Sequence, residues 1–405
     1  MAFLYSAGIR IYGFILWIAQ FFNAKAKSWI EGRKNFRAKL PDTGNREVYW
    51  FHCASLGEFD QGLPLMNRLK EENPGLFLLV TFFSPSGFEH YHKRKHSADF
   101  VCYLPLDTRS NANMFISHFK PSRVFFIKYE FWGNYIFTAK RHGAEVYSVS
   151  ALFRENHRFF KWHGSYFRKI LRRIDYFFVQ DRSSLELLAS IGIKNAVLCG
   201  DTRFDRVIEN KQHATGDALI ESFLKGNKAF IVGSSWPEDE ELLESFILRE
   251  SEYIPVIIAP HDISENHLQQ IEKRFGDRIA RYSRWEQNSG ARILLIDSIG
   301  KLANAYRFGE IAYVGGGFSG SLHNILEPAV FGLPVIFGPK HKRFPEGQRF
   351  IDAGVGFAVS DSEELFRAWG YIRENRAGLS DAIEMLVAES TGATEKIVQF
   401  LKSRN

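Results

Sequence analysis

Cysteine is scarce in this chain. Cys53, Cys102 and Cys199 are odd in number and far apart, which excludes a disulfide framework and a zinc-ligand spacing and suits a reduced, cytosol-facing setting. No Asp-x-Asp occurs, which argues against a diphosphate donor held through a metal ion. Neither a Gly-x-Ser-x-Gly elbow nor a Gly-Lys-Ser/Thr phosphate loop is present, so serine-hydrolase and P-loop chemistry fall away. His90, His92 and His96 stand beside Lys93, Arg94 and Lys95 with no cysteine or carboxylate at ligand spacing, and read as a solvated basic face. There is no low-complexity stretch and no repeat of solenoid period. Charged residues at 24% and apolar residues at 45% exclude a multi-span membrane protein and general disorder alike.

What is abundant is positive charge, unevenly placed. The net charge is +6, and residues 1–40 carry seven cations (Arg10, Lys25, Lys27, Arg33, Lys34, Arg37, Lys39) against Glu31 alone. A second basic block lies at 154–173. Such blocks attract nucleic acid or an anionic membrane. No nucleic-acid motif accompanies them. The first block instead follows an apolar run at 2–22 that only Arg10 interrupts. Its length is marginal for a spanning helix, and its charges follow rather than precede the run, unlike a cleaved signal. Tyr5, Tyr12 and Trp17 suit a membrane interface. The sequence therefore predicts an amino-terminal membrane-anchor helix, with a buried first helix as the alternative.

From residue 47 short β-rich runs alternate with amphipathic stretches. The predicted strands are Val48–Cys53, Leu76–Phe82, Phe100–Leu104, Val124–Ile127, Val146–Val149 and Tyr176–Val179. The pattern restarts with Ala229–Gly233, Pro255–Ile258, Arg292–Ile296, Ile311–Val314 and Pro334–Phe337. Alternation of this kind predicts parallel sheets with helices on both faces. The expected division is 1–40 as anchor and basic segment, 41–207 as a first Rossmann-like domain, and 208–228 as a linker with a helix. A second Rossmann-like domain follows at 229–379, and a terminal helix at 380–405 that packs back on the first. Two such sheets around a cleft would present the carboxyl ends of their strands to a ligand.

The chemistry-bearing residues follow strand ends. Ser55 and Glu58, around Gly57, have the spacing of a helix capping box. The same carboxylate, just beyond a strand, is also placed to accept a proton from a substrate hydroxyl. Glu130 follows another strand, and paired carboxylates raise the pKa of one member. Ser84, Ser86 and Gly87 form a turn suited to sugar hydroxyls, or a plain turn. In the second half Gly233-Ser234-Ser235 follows the first strand, where small residues let backbone N–H groups approach a phosphate. Gly316 and Gly317 open a glycine-rich loop, after which a helix is expected near His323. Its start at Asn324 would favour a phosphate, and Glu327 is placed to hold ribose hydroxyls. A flexible loop with a buried capping glutamate is the alternative.

Taken in order, these motifs resemble the Kdo (3-deoxy-D-manno-octulosonic acid) transferases. The resemblance rests on Ala54-Ser55-Leu56-Gly57-Glu58, the turn at 84–87, Tyr103-Leu104-Pro105-Leu106-Asp107 and Glu130-Phe131-Trp132-Gly133-Asn134. It continues through Arg203-Phe204-Asp205, Gly233-Ser234-Ser235, His323-Asn324-Ile325-Leu326-Glu327-Pro328, Gly332-Leu333-Pro334 and Phe337-Gly338-Pro339. It implies the GT-B fold, inverting transfer from CMP-Kdo to a lipid A precursor with Glu58 as base, and no metal or other cofactor. It also implies an anchor at the cytoplasmic side of the inner membrane, whose anionic surface joins the lipid A precursor as a partner; no nucleic acid is implied.

The chain departs from the family's usual pattern in places. Where the family often has Pro-Arg-His after a strand, this chain has Ala259-Pro260-His261, so the arginine is missing and phosphate is left to His261 or another cation. Gly300 is followed by Lys301 rather than glutamate, Trp236 replaces a common histidine, and Gly133 a common proline. Two other functions fit less well: a GT-B glycosyltransferase using a UDP- or GDP-sugar, and a non-catalytic membrane-bound scaffold.

Overall fold

The computed structural model describes residues 2–285 and 290–404. It divides into two compact units, one of residues 1–206 with 391–405, the other of residues 207–390. The first unit holds β1 (Val48–Cys53), β2 (Phe77–Phe82), β3 (Phe100–Tyr103), β4 (Arg123–Ile127), β5 (Glu145–Ala151), β6 (Tyr176–Val179) and β7 (Ala196–Leu198). The second holds β8 (Ala229–Ser235), β9 (Val256–Pro260), β10 (Ile279–Arg281), β11 (Ile293–Leu295), β12 (Gly309–Val314), β13 (Val335–Phe337) and β14 (Gly356–Ala358).

All the pairings are parallel. The orders are β3-β2-β1-β4-β5-β6-β7 and β10-β11-β9-β8-β12-β13-β14. In each sheet the chain starts in the middle, winds outward to one edge, and returns to the other side of its first strand. The point of reversal therefore lies between β1 and β4, and between β8 and β12. A crevice opens at such a point outside the strands' carboxyl ends.

Every residue of β1, β2 and β4 is buried, as expected of a sheet covered by helices on both faces. Alternate residues supply two cores. Trp50, Leu79 and Phe126 enter one, and Phe51, Val80 and Phe125 the other.

Three expectations are corrected. Residues 208–228 are not a linker: the helix Ala218–Leu224 places Ile220, Phe223 and Leu224 in the core against Ala229 and Ile231. The helix itself is as expected, but its apolar face is only three residues in a polar stretch, which hides its packing into the core. The segment 380–405 is two helices. Arg376–Ser390 belongs to the second unit, whereas Ala393–Lys402 lies on the first, burying Ala393, Ile397, Val398 and Leu401 with Leu63 and Met66. Asp205 fixes that return, because its carboxylate accepts the Gly392 and Thr394 N–H groups at 2.7 Å each. The Arg203-Phe204-Asp205 motif thus works as a clasp. Lastly, the expected amino-terminal helix is present but stops short of residue 22. The helix Ala2–Ala19 ends before Asn23 caps the next, Ala24–Gly32, and the axes bend by 118°. Among the described residues no single helix is long and apolar enough to cross a membrane.

The bent pair is nevertheless firmly held. The Tyr5 hydroxyl donates to Asp107 Oδ2 at 2.5 Å and accepts the Gly133 N–H at 3.2 Å. Arg33 donates to the carbonyls of Leu104 and Phe83 at 2.8 Å and stacks on Trp29. Away from these contacts the helix exposes Phe3, Leu4, Ile11, Phe14, Ile15 and Trp17, with Phe21 and Phe22 beyond it.

Candidate active site

In the first unit the point of reversal is flanked by two carboxylates. Ser55 caps the helix Leu56–Glu72, its hydroxyl accepting the Glu58 N–H at 3.4 Å. Glu58 turns back to accept the Ala54 N–H at 2.5 Å. The capping geometry and the position beyond β1 are therefore both real. Burial pushes the Glu58 carboxyl up to about 7, and the Glu130 charge adds to the rise. The Ala54 and Ser55 N–H groups and Lys128 oppose it. Lys128 sits at φ 61°, a left-handed conformation uncommon for lysine, at the turn leaving β4.

Glu130 is backed by a chain that inspection of the sequence missed. Trp132 donates to His52 Nε2 at 3.0 Å, which leaves the ring proton on Nδ1, 2.9 Å from Thr81 Oγ1. Trp50 donates to the same hydroxyl at 2.8 Å. Glu130 Oε2 lies 3.4 Å from His52 Nε2, and since that nitrogen already accepts, Glu130 obtains no proton donor there. The signal was present in β1 as polar His52 within an otherwise apolar run.

Of the residues expected to meet the acceptor, Ser84 and Ser86 share a hydroxyl–hydroxyl bond of 2.7 Å at the end of β2, and Ser86 is exposed. Gly57 faces open space. Gly87 is closely packed. It is buried, and a Cβ there would lie 2.5 Å from the Phe82 ring and 3.1 Å from the Leu56 nitrogen. Its lack of a side chain lets two helices meet.

In the second unit the residues expected to hold the donor converge beyond β8, β9 and β12. Ser234 is a bulge at φ 53°, where the register between β8 and β9 shifts. The Ser235 hydroxyl is turned inward to Glu240 at 2.9 Å and is fully buried, so only its backbone is available. Its carbonyl accepts the His261 N–H at 2.9 Å, joining the Pro260-His261 turn to this loop. The indoles and imidazoles of Trp236, His261 and His323 form a stack, with centroid spacings of 4.4 Å and 4.6 Å for successive pairs. Trp236 donates to His323 Nε2 at 3.1 Å. Burial, with His261 adjacent, holds the His323 imidazole down to about 4.

The glycines of the loop serve close packing. Gly316 lies at φ 88° with Ser321 O filling the space of a Cβ, and Gly317 lies directly against Gly338. The helix expected near His323 instead starts at Leu326 and ends at Ala329. The preceding residues are tied back to the loop, His323 N donating to Gly315 O and Ser321 N to Gly316 O. So short a helix contributes little dipole. Asn324 Nδ2 donates to Glu327 Oε1 at 3.2 Å, and its Oδ1 accepts the Leu326 N–H. Lys301, after Gly300 at φ 86°, is engaged by Asp217 at 3.2 Å and by the Tyr282 ring. It is not a free cation.

Asp239 organises this loop and escaped notice. It accepts the Tyr313 hydroxyl at 2.7 Å and the Trp236 and Gly316 N–H groups at 2.9 Å each. Burial raises its pKa. Its signal was the spacing Trp236-Pro237-Glu238-Asp239, an acid three residues into a helix. Among the described residues no three His, Cys, Asp or Glu side chains are grouped to hold a metal ion.

Residues 29–206 match the model of the 3-deoxy-D-manno-octulosonic-acid transferase family. The chain is similar to a 3-deoxy-D-manno-octulosonic acid transferase of Aquifex aeolicus, 28% identical over 82% of this chain and 88% of the relative. A Haemophilus influenzae protein of the same name is 27% identical over 87% and 86%. Among solved structures, a UDP-GlcNAc 2-epimerase from Neisseria meningitidis superposes with a TM-score of 0.64, covering 89% of this chain and 100% of that one at 14% identity. That likeness concerns the fold alone and agrees with the GT-B class. The carboxylates at the first reversal point, the glycine loops at the second and the relatives along most of the chain point the same way: residues 29–206 match the Kdo transferase family, and the chain is similar to Kdo transferases over most of its length.

Proposed function

We propose that the chain moves Kdo from CMP-Kdo to a hydroxyl of a lipid A precursor with inversion, and that Glu58 is the general base. The observation that carries this is the Glu58 carboxyl beside β1, raised to about 7 by burial and by Glu130. A base of that pKa is about half ionised at neutral pH and still basic enough to take a hydroxyl proton. In the reaction the acceptor oxygen bonds to the anomeric carbon, its proton passes to Glu58, and the bond to the CMP phosphate breaks with its electron pair on the phosphate. On this reading the acceptor meets the 54–58 and 84–86 turns, and Glu130 keeps Glu58 basic. CMP meets the bulge at Ser234, the Trp236–His261–His323 stack and the 316–327 loop, where backbone N–H groups bear the leaving charge without a metal. Asn324 and Glu327 hold the ribose.

The exposed aromatic face of the helix Ala2–Ala19 suits an interfacial element on the cytoplasmic face of the inner membrane rather than a spanning one. The test is transfer in detergent, with CMP-Kdo and UDP-sugars as competing donors and product mass as readout. Transfer from CMP-Kdo to the lipid A precursor supports the reading; a folded protein that binds UDP but not CMP sinks the donor assignment.

A further inference from the structure

The basic block at 154–173 does not act as one surface. Arg168 is consumed by the carbonyls of Phe159 and Lys161, Arg172 by that of Ile191, and Arg158 lies over the Phe167 ring. Lys169 and Arg173, one turn apart, instead face a cavity of about 810 Å³ in the first unit. Its other walls are the helices Arg109–Phe119 and Gly133–Arg141, which add Arg109, Lys140 and Arg141. Five cations thus line one cavity, and no carboxylate does. Lys140 is paired with Asp175, and Arg141 with Asn113 and Thr138. Among the described residues the side chains of Arg109, Lys169 and Arg173 make no hydrogen bond or ion pair, and all three are exposed. Uncompensated cations from separate elements, gathered around a concavity, favour a multiply charged anion.

Two further facts narrow that anion. Tyr166 lines the cavity and packs on Tyr5 at 5.1 Å, so the amino-terminal helix stands against one wall of the cavity. Asn134, also lining, stands four residues after Glu130, and Arg141 is about 10 Å farther along the same helix. We infer that this cavity binds the phosphate of a lipid headgroup, presented at the level of the amino-terminal helix and beside the Glu58–Glu130 edge. Arg109, Lys169 and Arg173 are the residues that pair with it. The inference rests on the reading of a phosphorylated lipid as this unit's partner, and the phosphate is either the acceptor's own or that of a bilayer phospholipid.

The experiment compares wild type, the triple variant Arg109→Ala/Lys169→Ala/Arg173→Ala, and a control of equal charge, Lys93→Ala/Lys95→Ala/Lys194→Ala. Binding is measured to detergent-dispersed lipid A precursor, to the same lipid after phosphatase treatment, and to phosphatidylcholine vesicles with and without phosphatidylglycerol. Each cation near an anionic lipid is worth roughly fivefold in affinity, so the triple variant should lose about a hundredfold. A loss on the precursor that disappears after dephosphorylation assigns the cavity to the acceptor. A loss on phosphatidylglycerol vesicles alone assigns it to the bilayer. A triple variant that matches the control on both lipids overturns the inference. Transfer is scored separately: a wild type that binds through these residues yet moves no Kdo leaves the cavity standing and removes the proposed reaction.

Discussion

Replacing Glu58 by Gln separates its two roles, because a helix cap and a buried base respond oppositely. Gln keeps an oxygen to accept the Ala54 N–H, so as a cap it changes little. As an ionisable group Glu58 is raised from 4.5 to about 7. The folded state therefore holds a proton that the unfolded chain has released between those values, and ionised Glu58 weakens the fold above pH 7. At pH 8 this cost is about 3 kcal/mol, and at pH 5, where the folded carboxyl is protonated, it falls below about 1 kcal/mol. The Gln variant should thus be more stable than wild type at pH 8 by roughly that amount, with most of the gain gone at pH 5. Transfer should meanwhile drop about 10²–10⁴-fold. Urea titrations at both pH values, beside initial rates, measure the two effects. A variant no more stable than wild type at pH 8 refutes the raised pKa. A variant that is stabilised but still active refutes the base.

Removing the Glu130 charge by Glu130→Gln should let Glu58 ionise more readily and move the rising limb of the pH–rate profile from near 7 to lower pH; an unmoved limb separates the two carboxylates. Gly87→Ala meets the Phe82 ring and should lower stability by about 1–3 kcal/mol, whereas Gly57→Ala, in open space, should leave thermal unfolding unchanged or slightly raised. Asp239→Ala strands the Tyr313 hydroxyl and two N–H groups and should weaken CMP binding by calorimetry at least tenfold, with transfer falling in step. Tyr5→Phe removes the bond to Asp107 and should cost about 1–2 kcal/mol in urea and increase protease cutting near Ala19–Asn23.

The central strands were legible because burial on both faces demands an unbroken apolar run. β1 and β6 fall at their predicted bounds, and β2, β4 and β8 differ by one or two residues. The strands that escaped are β7, β10 and β14. Each has three residues and each is the edge of its sheet. An edge strand pairs on one side only and can be short and partly exposed, as Val197 and Leu198 are. Ala196-Val197-Leu198 and Gly356-Phe357-Ala358 therefore carry no periodic signal. The same physics hid the packing of the helix Ala218–Leu224, whose buried face needs only three residues.

The site divides along a similar line. Glu58, Glu130, Ser234 and Gly316 were legible because they follow strands, and topology sends those strand ends to a point of reversal. The groups that set their properties were not, since they act by contacts between distant positions. His52 works through Thr81 and Trp132, Asp239 through Tyr313 and Gly316, and Asp107 through Tyr5 and the N–H groups of Asn134 and Tyr135. Asp107 illustrates the point best. It lies within a motif that marked the family, yet its burial holds its carboxyl up to about 6, and three donors converge on it. It fastens the amino-terminal helix to the start of the helix that follows Glu130. A substitution there would disturb the placement of the amino-terminal helix and of the second carboxylate together, so such a variant reports on the coupling of the two rather than on chemistry at either.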